Sequence, residues 1–164
     1  MNDIQDNGIT VLAWVKAFSF GDRRIVEKGI NINPDLIDWQ LGLDASGSGR
    51  YKVRIKKNMA ATTYELNSPF PSTCFSPGEW HLYAFTWDAA TTNLVTIYLN
   101  NGEIIRQSVH PQTPGPLEPS AQTNYPVTIG AFRDGSNNVI RVHDGDIDEV
   151  RFLSFSMFPN LCCV

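Results

Sequence analysis

The 164-residue chain has only three cysteines, almost no helical periodicity, and no uninterrupted apolar run of the length that crosses a bilayer. Cys74 stands alone, and Cys162 and Cys163 are adjacent. An odd count without C-x-x-C spacing signals neither a zinc site nor a disulfide framework, so reduced thiols are the expected state, with a single bridge from Cys74 to the tail pair as the alternative. A basic excess is also lacking. Thirteen Lys and Arg against seventeen Asp and Glu leave a formal charge of −4, which gives no electrostatic case for nucleic acid. The opening "MNDIQDNGIT" has no basic start followed by an apolar run, so no secretory leader is expected. With 42% hydrophobic and 18% charged residues, the composition is that of one globular domain with a substantial core.

Short alternating segments between Gly, Pro, Asn and Asp clusters dominate. "ITVLAWVKAF" places Ile9, Val11, Ala13 and Val15 on one face of a strand. "DWQLGLD" and "RYKVRIKK" alternate on either side of a flexible "GSG" and read as a hairpin. "EWHLYAFTWD" is apolar on both faces and reads as a central strand. In "LVTIYLNNGEIIRQSV", Asn100-Asn101-Gly102 marks a second hairpin. "PVTIGAF" and "GDIDEVRFLSFS" complete the set, and two Pro-rich stretches, "NSPFPSTCFSPG" and "HPQTPGPLEPSAQTNYP", read as surface loops. Many short strands with frequent turns predict an all-β sandwich.

The last of these strands poses a problem. Regular alternation in "GDIDEVRF" puts Asp146 and Asp148 on the side of Val150 and Phe152, towards a core. A bare carboxylate there is very costly unless it is paired, hydrogen-bonded or metal-bound.

Together, "ITVLAWVKA", "PGEWHLYAFTWDAATTNLVTIYLNNGEII", "VTIGAF" and "GDIDEVRF" resemble, in order and spacing, the laminin-G-like members of the concanavalin A-like lectin/glucanase superfamily, from residue 9 to about 153. The resemblance implies a jelly-roll sandwich of two antiparallel sheets, commonly a carbohydrate- or protein-binding module with a structural calcium ion. It also implies an extracellular or cell-surface setting. Asp148 is the matched calcium ligand, with Asp146 and Asp134 nominated beside it. An EF-hand does not fit, because loops starting at Asp134 or Asp144 put Val139 or Glu149 where glycine is required. Members usually begin with an F-D-G-x-x-D-Y-V strand that this sequence does not contain, so the last strand is expected to lie at an uncovered sheet edge open to pairing with a second copy.

Three cues bear on function. Trp14 and Tyr98 point away from the apolar faces of their strands, and aromatic rings stack against sugars. Arg50, Lys52 and Arg54, continued by Lys56 and Lys57, form a basic ladder suited to an anionic polysaccharide or an acidic protein. The E-x-D-x-x-E pattern of related hydrolases is absent, and His81, His110 and His143 have no ligand spacing. The expectation is therefore a single lectin-like domain over 1–164 that binds an oligo- or polysaccharide without chemistry and without membrane insertion. A protein-assembly module using the open sheet edge is the alternative, and a glycoside hydrolase is the third and least favoured reading.

Overall fold

The computed structural model describes residues 8–30, 36–45, 50–55, 64–68, 76–100, 103–111 and 126–154. The three cysteines, Lys56, Lys57 and most of both Pro-rich stretches lie outside them. Twelve strands are present among the described residues: β1 (Ile9–Ala17), β2 (Arg24–Ile30), β3 (Leu36–Leu43), β4 (Tyr51–Ile55), β5 (Tyr64–Asn67), β6 (His81–Asp88), β7 (Leu94–Leu99), β8 (Glu103–Val109), β9 (Val127–Ile129), β10 (Phe132–Arg133), β11 (Val139–Ile140) and β12 (Gly145–Leu153). They form two five-stranded antiparallel sheets, ordered β12-β1-β6-β7-β8 and β5-β4-β3-β2-β9, with β10–β11 as a separate small hairpin. The architecture is the jelly-roll sandwich that the sequence predicts. No helix among the described residues is long and apolar enough to cross a membrane.

Alternation builds the core. Ile9, Val11, Ala13 and Val15 of β1 face inward with Tyr83, Phe85 and Trp87 of β6 and Val95, Ile97 and Leu99 of β7. The second sheet answers with Trp39, Leu41 and Leu43 of β3 and Tyr51, Val53 and Ile55 of β4. Tyr51 and Tyr83 stack across the two sheets with ring centroids 3.6 Å apart. Both expected hairpins form, with Trp39 opposite Ile55 and Thr96 opposite Gln107. β6 is central to its sheet and buried on both faces.

The turn after β6 is fixed by its own polar residues. Asp88 accepts hydrogen bonds from the backbone N–H groups of Thr91 and Thr92 and from both hydroxyls. Burial is the largest single influence and opposes its ionised form, but these four bonds together outweigh it and hold the carboxyl down at about 2. Asn93, at φ 55°, then accepts the Trp87 indole N–H at 2.9 Å and donates to the His110 carbonyl at 2.9 Å.

β12 departs from simple alternation. Leu12 pairs with Arg151 but Trp14 with Asp148, so Glu149 and Val150 together oppose Ala13. This is a β-bulge, with Glu149 in the left-handed region at φ 46°. The extra residue reverses the parity of the strand. Ile147, Val150 and Phe152 pack on the core, while Asp146 and Asp148 are exposed. The expected core-facing position of Asp148 is thereby corrected, and the problem of its solvation disappears. Gly145 opens the strand because a Cβ there would stand 1.9 Å from the Lys16 carbonyl oxygen.

Candidate binding face

The residues nominated from sequence fall on opposite sides of the sandwich. Trp14 and Tyr98 lie on the outer face of the first sheet, Lys52 and Arg54 on the outer face of the second, and the core separates them. Tyr98 is only 5% exposed, packs with Leu12, Leu82 and Ala84, and its hydroxyl accepts a 3.4 Å bond from Thr86. Trp14 is half-buried against that cluster. Tyr98 therefore has no open ring face, and Trp14 only part of one. Arg50 precedes β4 and is half-buried, its carbonyl accepting the Asp44 N–H at 2.9 Å.

The three nominated acids also stand apart in their bonding. Asp146 pairs with Lys16 at 3.7 Å. Asp148 accepts the N–H of Glu149 at 2.7 Å. Asp134 closes its own turn, accepting from the N–H groups of Ser136 and Asn138 and from the Asn138 amide, and these bonds hold its carboxyl below the usual range. No three His, Cys, Asp or Glu side chains among the described residues gather into a metal-holding group.

What the fold does assemble is a polar face on the second sheet. Register places Thr128, Glu27, Gln40, Arg54 and Glu65 in one row across all five strands. A second row runs Arg24, Gly42, Lys52, Asn67. At about 4.8 Å between strands, the first row is about 19 Å long. A bulge at Ile25 lets Arg24 and Glu27 both occupy this outer face while Ile25 and Val26 enter the core. Gly42 is required because a Cβ would stand 2.6 Å from the Arg23 carbonyl oxygen and 2.8 Å from Gln40 Nε2.

Four cations and three carboxylates meet here. Arg24 contacts Asp22 at 2.5 Å and Glu27 at 2.8 Å. Lys52 and Arg141 reach Asp22 at 3.2 and 3.0 Å, and Arg54 reaches Glu65 at 2.8 Å. Phe132, from the β10–β11 hairpin, lies under the guanidinium groups of Arg24 and Arg141, 5.4 and 5.9 Å from its ring. Arg24, Glu27 and Gln40 are wholly buried, and Lys52 nearly so.

Burial sets the charges. It pushes the Glu27 carboxyl up to about 7, although Arg24, Arg54 and Arg141 oppose it. Burial and the charge of Arg54 lower Lys52, with Asp22 opposing. Burial would raise Asp22 and Glu65 too, but the cations around Asp22, and the Asn67 and Arg54 bonds to Glu65, hold both below the usual range. Among the described residues, neither polar atom of the buried Gln40 amide has a hydrogen-bond partner, and Arg24 Nη2 and Glu27 Oε1 are equally unsatisfied. Each such group costs about 1–3 kcal/mol. The set combines donors and acceptors in one place.

The sequence reading reached Lys52 and Arg54 but not Asp22, Arg24, Glu27, Gln40 or Glu65. The available signal was "DRRIVEKG", where charges flank the apolar pair Ile25-Val26.

Comparison with known proteins places the fold. A family model described as the concanavalin A-like lectin/glucanases superfamily matches residues 1–159. No curated protein matches in sequence. Among solved structures, the CBM40 module of the Ruminococcus gnavus IT-sialidase, bound to α2,3-sialyllactose, superposes with a TM-score of 0.74 at 14% identity, covering 94% of this chain and 80% of that one. A heptameric SAP-like pentraxin from Limulus polyphemus gives 0.65 at 12% identity, covering 96% and 70%. A Bacteroides ovatus protein classed as carbohydrate-binding gives 0.70 at 20% identity, covering 96% of this chain, which spans 40% of that protein's length. At these identities the likeness is one of fold.

Proposed function

Because the chain belongs to the concanavalin A-like lectin/glucanases superfamily, we propose that it is a non-catalytic carbohydrate-binding module whose ligand lies across the outer face of the second sheet. The observation that carries this reading is the buried Gln40 amide with both polar atoms unsatisfied, beside Arg24 Nη2 and Glu27 Oε1. A saccharide hydroxyl both donates and accepts, which suits the part-exposed Asp22, Arg54, Glu65 and Arg141 side chains of this face and, once they part, the four unsatisfied atoms of the buried set. The excess of cations over carboxylates favours an anionic saccharide. The sialyllactose held by the Ruminococcus gnavus module lends that choice support by analogy of fold.

Catalysis finds less support. Glu27 and Glu65 share a row but are three strand spacings apart, about 14 Å at the backbone, against the 5–9.5 Å between the two acids of glycosidases. Assembly through β12 is also less favoured. Asp146, Asp148, Glu149 and Arg151 are exposed along it and the bulge interrupts its line, both of which discourage strand addition.

Glycan-array screening followed by calorimetry tests the reading. Gln40→Leu and Arg54→Leu should each weaken the best ligand at least tenfold, corresponding to about 1.4 kcal/mol or more. Absence of any glycan ligand, or unchanged affinity in both variants, would overturn it.

A further inference from the structure

Asp22 stands in the connection between β1 and β2, and its carboxylate is held by cations from three places. Arg24 Nη1 and Lys52 Nζ approach Oδ1, and Arg141 Nε approaches Oδ2. Arg24 and Lys52 face one another across Gly42, and both are buried. The Asp22 side chain is 25% exposed and that of Arg141 32%, so this carboxylate closes the mouth of a cationic socket. Gln40 Nε2 lies over Gly42, the residue between Arg24 and Lys52 in the row. That amide and Arg24 Nη2 remain unsatisfied although they are buried.

We infer that Asp22 is a built-in stand-in for the acid group of the ligand, and that the carboxylate or sulfate of an acidic saccharide takes its place between Arg24, Lys52 and Arg141. The inference rests on the carbohydrate reading of this face and names the ligand group at its centre. Glu27 already stands 2.8 Å from Arg24, but three cations converge here and buried charge without a counter-ion is strongly destabilising, so the free protein needs a second internal anion at this point. Exchanging one oxyanion for another keeps the ion pairs, so the desolvation of Arg24 and Lys52 is not incurred again. The incoming group adds bonds to Gln40 Nε2 and Arg24 Nη2, for which guanidinium geometry suits a planar carboxylate. Asp22 has only to rotate outward. The backbone on either side stays anchored by Phe18 N–H to the Asp144 carbonyl and by Arg24 N–H to the Arg141 carbonyl. Internal competition lowers the apparent affinity of the parent protein by the fraction of time Asp22 occupies the socket.

The test compares the parent with Asp22→Asn and Asp22→Ala, using glucuronate, glucose and sodium sulfate as probes in thermal melting and calorimetry. Both variants should melt below the parent and regain stability with glucuronate or sulfate but not with glucose. They should bind glucuronate at least tenfold more tightly than the parent, and adding Lys52→Met should abolish that gain. Asp22→Asn, which keeps the side-chain shape, carries the same readouts if Asp22→Ala does not fold. Equal glucuronate affinity in parent and variants, or equal rescue by glucose, would overturn the exchange. Rescue by sulfate with no glucuronate effect would overturn the saccharide assignment. A parent that binds no glycan at all defeats the carbohydrate reading itself. Glycans bound by the parent with an unchanged Asp22→Asn profile defeat only the exchange.

Discussion

Trp14 and Asp148 face each other across β1 and β12, and one residue later Glu149 turns the strand with a positive φ. That single residue decides which side of the sheet the acid occupies. A left-handed glutamate carries about 1–2 kcal/mol of strain that glycine avoids. Glu149→Gly should therefore raise the unfolding free energy by up to about 1 kcal/mol, since its exposed pair with Arg151 is worth little. Glu149→Val should lower it. Urea denaturation of both variants checks the sign.

Gly42→Ala should destabilise the domain by about 1–3 kcal/mol, because the new methyl meets backbone oxygen at 2.6 Å and cannot be relieved by side-chain motion alone. It should also displace the Gln40 amide, so glycan affinity should fall with stability. Denaturation midpoints and calorimetry on the same sample measure the two effects.

Glu27 gives the face a pH dependence. Its folded pKa of about 7 stands above the ordinary 4.5, so the fold favours the protonated form. This contribution is fully present below about pH 4.5 and is lost as pH rises through about 7. Asp22, with its lowered pKa, acts in the opposite sense, but in the acid range below its ordinary value of 3.8. The melting temperature of Glu27→Gln should accordingly vary less than that of the parent between pH 5 and 8. Parallel slopes in that window would contradict the assignment.

Asn93→Ala removes the acceptor of the buried Trp87 indole, the donor to the His110 carbonyl and a residue type that tolerates positive φ. Two unsatisfied buried groups predict a loss of about 2–4 kcal/mol. Asn93→Gly should not recover it, because glycine restores only the backbone freedom.

Calcium at millimolar concentration tests the expected site, since Asp146 and Asp148 are exposed and make only local contacts, and an unchanged melting temperature would exclude it. A rise that Asp148→Asn abolishes would instead establish Asp148 as a ligand, since a metal that binds only the folded state must stabilise it.

The sandwich was legible wherever local alternation matched the final faces, as in Ile9, Val11, Ala13 and Val15, or where Asn-Gly marked a hairpin. β2 was missed because its bulge sends both Ile25 and Val26 inward, breaking the period. Arg and Glu are also residue types that ordinarily stand in solvent, so nothing local marks Arg24 and Glu27 as buried. β5, four residues long, carries too little pattern to be recognised. The parity of Asp148 was illegible for a related reason. A glutamate at a left-handed position announces no bulge, as a glycine would. The binding face depends on partners distant in sequence, such as Glu27 with Thr128, and register of that kind leaves no local trace.

The order β12-β1-β6 has a kinetic consequence. β1 has its sheet partners only in β6 and β12, and Val11 meets Phe85 and Phe152. Such long closures must be made before the contacts that reward them, which is the condition for slow folding. During synthesis, β1 must therefore wait for β6 before it has any sheet partner, and its second edge stays unpaired until β12 has left the ribosome.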